Sequence, residues 1–146
     1  MTNWLANPAF LAYAATCVVL CLNLLFLWGY SGAVRGKSKT ALNAEDAATY
    51  GARLVDNDPP EVARVLRAHA NAQASIFPFL FLGLVFVLAG AGANAAALIF
   101  GIFTVARLLH TFAYLKGLQP WRTIFFLVGA ACIVATMVGI AWLALR

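Results

Sequence analysis

Arg107, His110 and Tyr114 stand at i, i+3 and i+7, the spacing that puts side chains on one helical face, inside a run otherwise made of Leu, Phe, Val, Ala and Ile. Arg64, Arg67, Asn71 and Ser75 make a second such face, with His69 pointing nearly the opposite way. An arginine in hydrocarbon costs at least ~2.5–3.5 kcal/mol on insertion scales, so it persists where it faces protein, a wet cavity or a charged ligand. All five carboxylates (Glu45, Asp46, Asp56, Asp58 and Glu61) lie before or in the first turns of the second apolar run, and none lies deeper in any run. Arg107 therefore has to meet a loop acid, carbonyls, water or a ligand anion, and a guanidinium fork suits a carboxylate. Two polar faces on neighbouring helices read as an anion receptor. The plainer alternative is polar glue between helices.

The elements that must position these residues follow from composition. With 64% hydrophobic and 10% charged residues, the 146-residue chain is far more apolar than a soluble domain. A bilayer core of ~30 Å needs roughly 20 apolar residues per helix, which allows about four spans and one substantial loop. The expected fold is all-α and integral to a membrane: a single four-transmembrane-helix bundle over residues 1–146, with spans near 8–32, 59–90, 95–115 and 121–145 and a loop at 33–58. Asp58 is expected to cap the second span, with Pro59 in its first turn and Glu61 completing a capping box. That helix, roughly 48 Å long, should project beyond the hydrocarbon, and Pro78 is a site for a kink. Met1 to Asn7 has no Lys or Arg, so the first span reads as a retained helix rather than a signal peptide.

Charge orients the spans. Arg35, Lys37, Lys39 and Arg53 sit in the loop, Arg64 and Arg67 in the projecting turns, and Lys116 and Arg122 about the last turn. The positive-inside rule puts these connections in the cytoplasm and both termini away from it, in a bacterial inner membrane or an endoplasmic reticulum. Arg35, Arg67, Asn71, Arg107, His110, Tyr114 and Arg122 then share one layer toward the cytoplasmic face, with Arg107 deepest, roughly 18 Å from the outer surface. The net charge of +5 is an orientation signal first, and no basic and aromatic interleaving points to nucleic acid. Cys17, Cys21 and Cys132 read as buried small hydrophobes, and their spacing with the two histidines makes no metal set.

Longer motifs carry a resemblance. Arg67-Ala68-His69-Ala70-Asn71 with Ile76-Phe77-Pro78-Phe79-Leu80-Phe81-Leu82-Gly83, Arg107-Leu108-Leu109-His110-Thr111-Phe112-Ala113-Tyr114-Leu115, Pro120-Trp121-Arg122, Val34-Arg35 and Glu45-Asp46-Ala47 resemble the membrane-associated proteins in eicosanoid and glutathione metabolism, the MAPEG family. The resemblance covers residues 32 to 130 and is strongest to the glutathione transferase and prostaglandin synthase branches.

It implies a homotrimer with glutathione, as cosubstrate, held between subunits near the cytoplasmic face, and a lipophilic small molecule entering from the bilayer lipids. Arg35, Arg67, Asn71, Arg107, His110 and Tyr114 would line the glutathione pocket. Arg122 would stabilise the thiolate, and Thr123 keeps a hydroxyl where the family has a serine. Ala74 departs from the pattern: family enzymes carry a glutamate there that helps hold the tripeptide's ammonium. Ala70, Ala72 and Phe126 depart as well and weigh against prostaglandin synthesis in particular. The expectation is a glutathione-dependent transferase or peroxidase acting on lipophilic electrophiles. The alternatives are a non-catalytic lipid-binding scaffold, a prostaglandin-synthase-like isomerase or, outside the family, an anion or proton pathway.

Overall fold

The computed structural model describes residues 4–146. A turn of 3-10 helix at Trp4–Ala6 leads into α1 (Pro8–Ser38), followed by β1 (Thr40–Ala41), α2 (Ala44–Tyr50), β2 (Arg53–Leu54), α3 (Pro60–Leu88), α4 (Ala93–Lys116) and α5 (Trp121–Ala144). Four of these helices, α1, α3, α4 and α5, are long and apolar enough to cross a membrane. The basic-residue count over Met1–Asn7 rests partly on residues outside the described ones.

Helix ends show where local chemistry departs from the expectations. At its start, α1 is capped by the Asn7 side-chain oxygen Oδ1, which accepts from the Ala9 amide at 3.0 Å. It runs on to Ser38 rather than ending at Gly32, since Arg35 and Lys37 in its last turn suit the negative end of the helix dipole. What was expected as an open loop holds α2 and a two-residue parallel ladder that pairs Thr40 with Arg53 and Ala41 with Leu54. Asp58 does not cap α3. Its carboxylate is taken by the Arg35 guanidinium, with Nη2 at 2.9 and 3.1 Å from the two oxygens, so no side chain caps that helix. The Arg35–Asp58 clamp ties the end of α1 to the lead-in of α3. Pro78 lies inside α3, which continues through it.

Short connections then make the chain run up and down, so the end of α1, the α2 segment, the start of α3 and the α4–α5 turn share one end of the bundle. Among the described residues, α3 and α4 contact each other and both outer helices, whereas α1 and α5 do not meet. The site-bearing helices are thus the central pair. Phe79 of α3 stacks on Phe103 of α4 with ring centroids 3.6 Å apart, and Phe100 meets Phe79 edge-on at 5.8 Å. Gly83 lets α1, α3 and α4 close together there, because a Cβ at this position would stand 3.0 Å from the Phe100 ring and 3.3 Å from Tyr13. Of the three cysteines, only Cys132 is buried; Cys21 is exposed on the outside of α1, where bilayer chains suit a thiol as well as a core does.

Candidate functional site

Arg107 is the largest fully buried side chain, 1% exposed, in the middle of the bundle. Its Nη2 donates to the Asn71 side-chain oxygen at 2.9 Å and, more weakly, to the Asn71 backbone carbonyl at 3.4 Å. That carbonyl also accepts the Ser75 hydroxyl at 3.1 Å. The polar faces of α3 and α4 therefore do meet, at Asn71 and Arg107. The arginine stem packs against α5 at Gly129, where a Cβ would stand 3.4 Å from Arg107 Cδ, at ordinary contact. Among the described residues the guanidinium is paired only with neutral groups, and its Nε has no partner.

One turn along α4, His110 is 3% exposed and packs edge-on against Tyr114, with centroids 5.6 Å apart, and against Phe126 of α5 at 6.4 Å. The Tyr114 ring in turn carries the Arg122 guanidinium over its face at 4.9 Å. The cluster thus runs from Asn71 of α3 through Arg107, His110 and Tyr114 of α4 to Arg122 of α5.

Gln119 joins the site, and sequence reasoning passed it over. With its amide turned so that the oxygen faces the guanidinium, it accepts from Arg122 Nε at 3.2 Å and Nη2 at 2.7 Å and donates to Thr123 Oγ1 at 3.1 Å. Its position three and four residues before Arg122 and Thr123 was the available signal. Among the described residues the Arg35–Asp58 pair is the only salt bridge, so no carboxylate of the chain neutralises Arg107 or Arg122.

Other expected site residues stand apart. Arg35, held by Asp58, lines a separate cavity of about 340 Å³ with Lys39, Asp46 and Tyr50. Arg67 is exposed on α3, on a stripe with Ala70, Ala74, Phe77 and Phe81 that its own chain leaves uncovered. Thr123 is exposed and reaches the cluster only through Gln119.

Fold and site together define a class: a multi-pass, four-helix membrane protein with an uncompensated cationic cluster inside its bundle. The sequence matches the MAPEG family over residues 13–142. It is 36% identical to the prostaglandin E synthase of Equus caballus over 152 aligned residues, covering 100% of this chain and 94% of that protein. Against the prostaglandin E synthase of Homo sapiens the identity is 33%, covering 97% and 94%. Against the microsomal glutathione S-transferase 1 of Sus scrofa it is 34%, covering 88% and 86%. The chain belongs to the MAPEG family.

Proposed function

We propose that this protein is a glutathione-dependent transferase or peroxidase acting on lipophilic electrophiles. The observation that carries the reading is Arg107, a buried guanidinium whose only partners among the described residues are the two neutral oxygens of Asn71. A cation held in a bundle without a counterion is a receptor for an anion. Glutathione brings two carboxylates and a thiol whose reference pKa is near 8.5. A relative named microsomal glutathione S-transferase 1 favours the same ligand.

In this reading Arg107, with Asn71 behind it, receives a carboxylate, and Arg67, Arg35, His110 and Tyr114 complete the pocket. Arg122, oriented by Gln119 and the Tyr114 ring, stands by the sulfur and favours the thiolate. The thiolate attacks the electrophilic carbon of an apolar substrate arriving from the bilayer. With an aryl halide the carbon–sulfur bond forms as the carbon–halogen bond breaks, halide leaves, and the thiol proton goes to water. Assembly as a homotrimer accounts for the uncovered α3 stripe, which joins a charged Arg67 to Ala70, Ala74, Phe77 and Phe81 and suits a neighbouring subunit better than lipid. The basic connections would face the cytoplasm, with both termini on the other side of a bacterial inner membrane or endoplasmic reticulum.

Purified protein should conjugate glutathione to 1-chloro-2,4-dinitrobenzene, and Arg122→Ala should lose most of that rate. Rates equal to the uncatalysed background in both proteins would end the proposal. Ala74 favours a second reading, a non-catalytic lipid-binding scaffold, because the exposed α3 stripe offers no acid to an ammonium group. That reading predicts fatty-acid binding without thiol turnover. A glutathione-dependent isomerase like the relatives named prostaglandin E synthase would show glutathione-dependent formation of prostaglandin E.

A further inference from the structure

Away from the cationic cluster, the seam between α1 and α4 contains polar side chains at a regular interval. The two helices run parallel, and Thr104 Oγ1 and Thr16 Oγ1 meet across the seam at 3.4 Å. Seven residues further along each helix, two turns on, the corresponding rung is Asn23 opposite Thr111. Both are only 6% exposed. Yet among the described residues Asn23 Nδ2 and Thr111 Oγ1 have no hydrogen-bond partner, neither each other nor the backbone.

Among the described residues, Thr111 has the one buried hydroxyl left without any partner. Thr104 and Thr136 donate to the carbonyls four residues back, at 2.7 and 2.8 Å, and Ser75 does the same at 3.1 Å. This back-bond is the default for a hydroxyl in a helix without water, and leaving it unmade is costly in hydrocarbon. Two unmet groups facing across one rung are donors lacking a common acceptor.

A groove runs over this rung on the outside of the bundle. Asn23 and Thr111 line a hollow of about 420 Å³ whose other walls are aliphatic and aromatic, including Leu22, Phe26, Leu108 and Phe112. A second hollow of about 290 Å³, reaching Ala12 and Ala97, continues it and shares Val19. From Asn23 back to Ala12 the seam is ~17 Å long, close to the length of an extended acyl chain.

We infer that the α1–α4 seam is a binding groove for a membrane phospholipid, with one acyl chain along it and the ester carbonyl accepting hydrogen bonds from Asn23 and Thr111. Depth fits this occupant: Thr111 lies ~7.5 Å along the helix from Lys116, whose ammonium belongs at the headgroup level, so the rung falls near the ester layer. Charge fits too. No Lys, Arg or His lines either hollow, so a neutral ester suits the rung better than a fatty-acid carboxylate. Both unmet atoms lie just beneath the groove surface, and binding in this way turns both side chains toward the carbonyl.

The test is photolabelling in nanodiscs of palmitoyl-oleoyl phosphatidylcholine doped with a phosphatidylcholine carrying a diazirine on one acyl chain, with adducts mapped by mass spectrometry. Wild type should be labelled on α1 between Ala12 and Phe26 and on α4 between Ala97 and Leu115. The variant pair Asn23→Leu/Thr111→Val, which removes the unmet groups without opening a cavity, should melt no lower and lose at least about fivefold of that label. Leu108→Trp, at an exposed wall position, should block the groove to the same extent. Equal labelling of all three proteins would overturn the inference, because it marks ordinary boundary lipid. A diazirine fatty acid that labels the seam as strongly as the phospholipid would overturn the choice of occupant. Disulfide-linked dimers from Leu22→Cys would overturn it too, by showing a second copy over the seam. None of these outcomes depends on glutathione turnover.

Discussion

Asn71→Asp separates a ligand-receiving Arg107 from one that only joins two helices. The substitution keeps the shape of the side chain and puts a carboxylate where an amide oxygen now lies 2.9 Å from the guanidinium. The neighbouring cation holds that carboxylate ionised, and Arg107 gains inside its own chain the counterion it lacks. A ligand carboxylate on the same guanidinium would stand ~5 Å from the new one. At an effective dielectric of about 20 the two repel by ~3 kcal/mol, or about 10²-fold in affinity. Calorimetric titration with glutathione should therefore show binding weakened about a hundredfold, while thermal unfolding followed by circular dichroism stays level or rises. Asn71→Ala should do the reverse on stability: losing a charge-assisted bond to a buried cation costs ~1.5–3 kcal/mol and lowers the melting temperature. If Asn71→Asp folds and binds glutathione within about twofold of wild type, no ligand anion meets Arg107, and its role is to fasten α3 to α4.

Four further outcomes follow from the same geometry. In Arg122→Ala the rising limb of the rate–pH profile should move up by about one unit or more toward the ~8.5 of a free thiol, since a nearby cation lowers a thiol pKa and its removal restores it; an unmoved limb would clear Arg122 of thiolate stabilisation. Gln119→Leu frees that guanidinium at an exposed position, so kcat should fall about fivefold, roughly 1 kcal/mol, with KM little changed. Ala74→Glu supplies an acid on the Arg67 stripe and should tighten glutathione binding by about fivefold, roughly 1 kcal/mol, in a titration. Gly129→Ala should be tolerated, because its Cβ stands at ordinary contact from Arg107, whereas Gly129→Val overpacks the arginine stem and should cost ~1–3 kcal/mol in a denaturation experiment.

Periodicity proved a good guide to faces and a poor one to partners. The long helices α1, α3, α4 and α5 begin within two residues of the expected apolar runs, though α1 ends six residues later, and the i, i+3, i+7 set on α4 put Arg107, His110 and Tyr114 on one side. Spacing could not choose among the oxygens within reach of a guanidinium. A loop acid, carbonyl, water and ligand were all open for Arg107, and the side-chain oxygen of Asn71 proved to be the nearest partner. Asp58 had the sequence of a helix cap but lies beside Arg35, and a bidentate ion pair outcompetes a backbone amide for a carboxylate. The extension of α1 to Ser38 was hidden by its polar last turns, which read as loop once apolarity is the criterion. Gln119, Asn23 and Thr111 are unremarkable polar residues in sequence; only the packing of helices distant in the chain gives them neighbours, or leaves them without any.

The central claim is that the buried cationic cluster receives glutathione. Calorimetric titration of the wild-type protein in lipid nanodiscs, with S-methylglutathione in parallel to remove the thiol, addresses it most directly. Saturable heats for both ligands, lost in Arg107→Leu, are the expected result, because the carboxylates rather than the sulfur meet Arg107. Absence of saturable binding by the folded wild-type protein at millimolar glutathione would contradict the account.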